Sequence, residues 1–96
     1  MEPANSDIAV SDVVVSRAGR DQGEWFYVID ADDTYLLLVN GKDRPLDKPK
    51  RKKRKHAQKV LRSETRVAAK LRSGDKVLNG ELRRDLAFLA REFASE

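Results

Sequence analysis

The sequence predicts a mainly β protein: a small closed or nearly closed barrel of about five strands, followed by one or two C-terminal helices. Three observations carry this. Short runs of β-branched and aromatic residues recur between Asp12 and Asp47, separated by turn-forming residues. Asn40-Gly41, a dipeptide that tolerates positive φ, follows one of these runs and signals a hairpin. Beyond Ser63 the period lengthens, with Leu82, Leu86, Leu89 and Phe93 spaced four, three and four apart. Several strands in so short a stretch leave edges exposed unless the sheet curls on itself, which favours a barrel.

Taken in order, residues 1–11 are polar and aperiodic apart from Ile8 and Val10, and are expected to be a mostly disordered tail. Asp12-Val13-Val14-Val15-Ser16 reads as the first strand, Arg17–Gly23 as a loop, and residues 24–30 as a second strand with aromatics on both faces. Asp32-Asp33 marks a turn, and residues 34–39 a third strand. Arg44-Pro45-Leu46-Asp47 is expected as a short fourth strand at a sheet edge, where proline is tolerated. The segment from Lys55 can close the sheet as a fifth strand to about Gln58 or begin a helix; the strand is favoured. A helix from about Glu64 to Arg72 is expected, with Ser63 as N-cap and Gly74 beyond its end. Asn79 is expected to cap a second helix over 80–94. The organisation is thus a tail (1–11), a barrel with a basic strip (12–61) and a helical extension (62–96).

Charge is distributed unevenly. The formal net charge is +4, yet residues 1–47 carry −6, residues 48–72 carry +11 and residues 73–96 carry −1. From Lys50 to Lys55 every residue is cationic. Such a run is unfavourable unless water or a polyanion receives it, and a cationic block flanked by acidic material marks a nucleic-acid-binding face. An anionic membrane would leave the same mark, but the block has no apolar side to insert. The run also has the form of a nuclear import signal; the strands expected on either side favour binding. Lys and Arg neutralise phosphates and release counterions, so about 4–6 such contacts imply a log–log salt slope of about −3 to −5.

Other chemistry finds little support. There are no cysteines, which excludes disulfides and thiolate sites and gives no pointer to an oxidising compartment. His56 is the single histidine and reads as structural or phosphate-facing. Asp30, Asp32 and Asp33 lack the spacing of a calcium loop. No phosphate-binding glycine loop and no nucleophile–base pair is present, so neither catalysis nor a cofactor is expected. No apolar run reaches the ~20 residues of a membrane span, and the N-terminus lacks the pattern of a secretory signal; the reading is a soluble, cytoplasmic protein. Trp25, Phe26, Tyr27 and Tyr35 read as packing residues, and the leucine stripe as docked on its own domain. A partner-binding role for residues 80–94 is the minority alternative.

A family resemblance adds to this. Val13 to Gly23, followed by Phe26-Tyr27-Val28-Ile29, resembles a KOW motif: a strand, a loop of small-Gly-basic-Asp-polar-Gly, and a second alternating strand. Asn40-Gly41, Arg44-Pro45-Leu46, Lys48-Pro49-Lys50 and Lys55-His56 follow in the order seen in bacterial KOW-domain RNA-binding proteins akin to large-subunit ribosomal proteins of archaea and eukaryotes. The resemblance spans residues 12–60. It implies an SH3-like barrel and a role in translation, with RNA, often ribosomal RNA or the ribosome, as partner. Gln22 stands where the motif usually has a basic residue, and nothing after Ser63 matches, so no function is carried onto the helices. The expected RNA-binding residues are the strip Lys48, Lys50, Arg51, Lys52, Lys53, Arg54, Lys55, His56 and Lys59, with Arg17, Gly19 and Arg20 in the first loop and Lys42 and Arg44 beside the hairpin. The alternatives are a DNA- or transcription-associated KOW adaptor, and a protein-interaction module built on the last helix.

Overall fold

The structure, a computed structural model, describes residues 7–93. Five strands, β1 (Asp12–Ser16), β2 (Trp25–Ala31), β3 (Tyr35–Val39), β4 (Lys50–Lys53) and β5 (Ala57–Arg62), precede two helices, α1 (Arg66–Ser73) and α2 (Asn79–Phe93). The strands form one antiparallel sheet in the order β4-β3-β2-β1-β5. A one-turn 3-10 helix, Arg54–His56, carries the chain from one edge strand to the other. The expected class, a five-stranded barrel-like β fold with C-terminal helices, is the one the chain adopts. The two edge strands are joined through that turn rather than by pairing.

β1 explains the arrangement. Its five residues are all buried, because the sheet is covered on both sides. Alternation sends Val14 inward with Phe26, Val28, Leu36 and Leu38, while Val13 faces Tyr27, Val39 and the helices. Leu82, Leu86 and Leu89 of α2 join this outer cluster, together with Val67 and Ala68 of α1. The leucine stripe is therefore spent on its own sheet. Phe93 leaves the stripe and is 58% exposed.

A polar network ties the layers together. The Tyr27 hydroxyl, at the buried end of a core ring, donates to Asp85 Oδ2 on α2. Ser63 Oγ and Thr65 Oγ1 flank it at 2.8 and 3.2 Å, and Thr65 also donates to Asp85 at 2.8 Å. Burial, and next the hydrogen bond to Asp85, push the Tyr27 phenol up to about 12. A raised value means that the folded state holds this proton more tightly. The stabilisation is present below about pH 10 and lost as pH rises from 10 towards 12. Tyr27→Phe is expected to lower stability by about 1–2 kcal/mol and to abolish that alkaline step in urea midpoints measured against pH.

Several element boundaries differ from expectation, each for a local reason. Thr65, not Ser63, caps α1, accepting from Ala68 N at 3.2 Å; Ser63 is buried beside Tyr27. Gly74 closes α1 in the left-handed conformation, as expected. Asn79 begins α2, but its side-chain oxygen accepts from Leu46 N at 2.8 Å, pinning the segment before β4. The fourth strand is not 44–47. Pro45 has no N–H to give a ladder, and residues 40–44 close on themselves. Asn40 Oδ1 accepts from Lys42 N and Arg44 N, both at 2.9 Å, while Arg44 O accepts from Asn40 N and Gly41 N. The fourth strand lies inside the basic run. β5 continues to Arg62, past the expected end at Gln58. Residues 7–11 belong to the fold: Ile8 is 2% exposed in the inner cluster, and Ser11 N donates to Val28 O at 2.8 Å. The rest of the expected tail, 1–6, and the last expected helical residue, Ala94, lie outside the described residues.

Candidate nucleic-acid interface

A strand places alternate side chains on opposite faces, so the six-residue cationic run cannot present one row. Register decides which side each takes. Lys52 lies opposite Leu36 and Lys50 opposite Leu38, and both leucines face the barrel interior. These two lysines therefore turn inward at the barrel rim, where the loop between β1 and β2 supplies a carboxylate.

That carboxylate is Asp21. Its Oδ1 accepts from Ser16 Oγ at 2.7 Å and from Lys52 Nζ at 3.0 Å. Lys52 Nζ also donates to Ser16 Oγ at 3.0 Å and Ala18 O at 2.9 Å. The other oxygen, Oδ2, makes no hydrogen bond and faces the Lys50 ammonium at 3.4 Å. Lys52 is 7% exposed, with its ammonium saturated. Burial pushes the Asp21 carboxyl up, but the Ser16 and Lys52 hydrogen bonds and the two ammonium charges outweigh it and hold the group below its ordinary value. A depressed carboxyl stabilises the fold above its unfolded value of about 3.9, and that stabilisation fades as pH falls through the folded value. The barrel should loosen on acidification below about pH 4, and Asp21→Asn should remove that part of the acid sensitivity in thermal melts across pH.

The expected RNA-binding set thus divides. Lys52 is taken out of it, being structural. Arg54 is half-buried as a strap, with Nε donating to Asp32 O at 2.7 Å and Nη1 to Ile8 O at 3.0 Å. Lys59 is paired with buried Asp12 at 3.2 Å. Arg17 donates through Nε to Gln58 Oε1 at 2.7 Å. Gly19 serves its turn: its φ is +87, and a Cβ there would meet nothing nearer than 3.8 Å, so conformation rather than space calls for glycine. His56 is half-buried in the 3-10 turn, its carbonyl accepting from Arg17 N at 2.8 Å.

The cations that remain lie on the opposite side of β4 and around it. Arg51, Lys53 and Lys55 are exposed, and Lys53 and Lys55 make no ion pair among the described residues. Arg51 lies flat over the Tyr35 ring, 3.6 Å from its centroid. This contact, of order 0.5–1 kcal/mol, holds one guanidinium face on the tyrosine and leaves the other outward. Lys42 and Lys48 are exposed on the loop before β4. Arg20, Arg44 and Lys50 border a shallow cavity of about 250 Å³ that Asp21, Glu24 and Asp43 also line. Those carboxylates offset its positive charge, and Asp30 and Asp32 line a cavity of about 200 Å³ with Arg51 in the same way, which leaves Lys53 and Lys55 as the outward cations of β4 and its turn that line neither cavity.

Sequence reasoning missed the Asp21 clamp. The signal was there: Asp21 falls in a loop that must pass the barrel rim, and Lys50 and Lys52 have the parity of Leu36 and Leu38 once β4 is placed. Among the described residues no group of three His, Cys, Asp or Glu is arranged to hold a metal, and no helix is long and apolar enough to cross a membrane. Compared with known proteins, the chain matches no family model, and no curated protein matches it.

Proposed function

We propose that this is a non-catalytic RNA-binding module of the KOW type that acts in the cytoplasm on structured RNA, with ribosomal RNA as the ligand the resemblance implies. The observation that carries the reading is the set of cations left over once the fold has used its share. β4 gives Lys50 and Lys52 to the clamp and turns Arg51 and Lys53 outward, with Lys55 just beyond. An exposed line of cations, of which Arg51 shares a cavity with Asp30 and Asp32 while Lys53 and Lys55 make no ion pair among the described residues, carries self-repulsion that a phosphate backbone relieves. Arg51, already lying on Tyr35, offers a planar face to an unstacked base as well as a fork for phosphate. Shape and backbone would be read more than sequence.

The test is a binding series on folded ribosomal RNA fragments. Arg51, Lys53 and Lys55 changed together to Gln should weaken binding at least tenfold at moderate salt and flatten the log–log salt slope by about 2, at roughly 0.7–0.9 per phosphate contact. Lys52→Met should leave the slope unchanged, because its ammonium never reaches the ligand. Equal affinity of the triple variant, or a preference for duplex DNA at matched salt, would overturn the proposal.

A further inference from the structure

The outer face of the sheet carries one arrangement that phosphate binding does not use. Val28 faces the inner cluster, and strict alternation from it would send Asp30 inward as well. A bulge in β2 prevents this: Val28 lies opposite Leu38, but Asp30 lies opposite Leu37. Bulges re-aim side chains in this way. Leu37 in turn lies opposite Arg51. Asp30, Leu37 and Arg51 thus form one row across three strands, with an acid and a guanidinium on either side of a half-buried leucine. Neighbouring strands lie about 4.8 Å apart, so the outer two stand about 10 Å apart at the backbone. The row lines a cavity of about 200 Å³ that Tyr35 and Asp32 also border.

The hydrogen-bonding capacity left in this row is specific. Arg51 spends a face on Tyr35, at 3.6 Å, and its edge N–H groups make no hydrogen bond among the described residues. Asp32 serves its own turn, with Oδ1 accepting from Thr34 N at 2.9 Å and Tyr35 N at 2.7 Å. Asp30 Oδ1 accepts from Ala31 N at 2.9 Å, and its Oδ2 makes no hydrogen bond among the described residues. One side of the leucine therefore offers acceptors and the other offers donors.

We propose that this row reads one unpaired guanine of the RNA. The base lies on Leu37, its N1–H and N2–H donate to Asp30, and its O6 and N7 accept from Arg51. The proposal rests on the RNA-binding reading and deepens it, adding one read position to a ligand otherwise recognised by shape. A carboxylate accepts through two oxygens, and a guanidinium donates through a two-pronged fork to O6 and N7. Guanine alone among the four bases has two adjacent donors on one edge and two adjacent acceptors on the next. Adenine would turn the N1 lone pair towards the carboxylate, and uracil has a single donor between two carbonyls. Charge points the same way. Two carboxylates against one guanidinium make the cavity a poor place for phosphate, which leaves it to a neutral ring. Lys53, opposite Tyr35 in β4, and Lys55 beyond it remain for the adjoining phosphates, and they repel a cationic peptide that the acids alone would attract.

Fluorescence anisotropy with a uridine-rich single-stranded oligoribonucleotide carrying one central guanine tests this. The wild-type chain should bind it about fivefold or more tightly than the same strand with adenine, the low end for one bidentate pair. Inosine, which lacks the N2 amino group, and 7-deazaguanine, which lacks N7, should each lose part of the gain. Asp30→Asn keeps the shape and can still accept from Ala31 N. It should bring the guanine and adenine strands within about twofold of each other, because an amide cannot accept both donors, and leave the salt slope unchanged. A carboxylate that acts only through its charge opposes every strand alike, so equal strengthening of both by Asp30→Asn overturns the proposal. Equal binding of both strands by the wild-type chain overturns it too, and the β4 reading then stands if the β4 triple variant still loses folded RNA. If the wild-type chain retains neither oligonucleotide nor folded RNA, both fall. Guanosine monophosphate that binds as tightly as the guanine strand overturns RNA as the source and gives the row to a free nucleotide.

Discussion

Gly41→Ala is expected to destabilise the protein by roughly 2–5 kcal/mol, summing positive-φ strain and overpacking. Gly41 has φ +76, where a β-carbon is disfavoured, and a Cβ there would fall 2.3 Å from the Asn79 carbonyl oxygen and 3.0 Å from Leu82 Cβ. The first obstacle is backbone and cannot rotate away. The second belongs to a fully buried leucine of the outer cluster. Relief would require α2 to retreat from the sheet, and with it Arg83 Nη1, which donates to Gly41 O at 2.6 Å. For a domain of this size about 5–15 kcal/mol separates folded from unfolded chains, so much of the margin would go. Chemical denaturation should show a lower midpoint. A stability within about 0.5 kcal/mol of wild type, far below the strain expected, would mean that the loop does not press on the helix.

Asp21→Ala should cost about 3 kcal/mol, toward the low end for breaking a buried pair because the site lies at the rim. The loss comes less from the missing attraction than from what remains. Lys52 would keep its charge with only Ser16 and Ala18 as partners, 7% exposed to water. Lys50, at 27%, can swing into solvent. The thermal midpoint should drop by more than about 10 °C, at roughly 4–8 °C per kcal/mol for a small domain. Replacing both members, Asp21→Leu with Lys52→Met, should recover most of the loss, because an apolar pair carries no desolvation penalty. If the double change is as damaging as the single one, the clamp is not an electrostatic unit.

Much of the fold was legible because local signals and packing agreed. Val13-Val14-Val15 could only be a strand, and the five-stranded class with trailing helices followed from period and turn residues. The errors arose where a distant partner decided the outcome. Ser63 and Thr65 both carry a hydroxyl suited to an N-cap; Asp85, twenty residues beyond Thr65, settles which one takes the role. Arg44-Pro45-Leu46 has strand-like content, but Asn79 on α2 holds Leu46 in a loop. The candidate site suffered in the same way. Six consecutive cations look like one solvated strip when read along the chain. Only the register against Leu36 and Leu38 shows that two of them are used by the barrel.

The strand Asp12–Ser16, buried along its whole length, has a bearing on where the gene can be cut. A fragment ending at Arg62 would bare Val13, Tyr27 and Val39 to solvent, and these should then drive self-association. The helices that share no motif with the barrel act as its built-in lid against clumping, so the stretch that carries the family resemblance is less than the smallest piece able to stand alone.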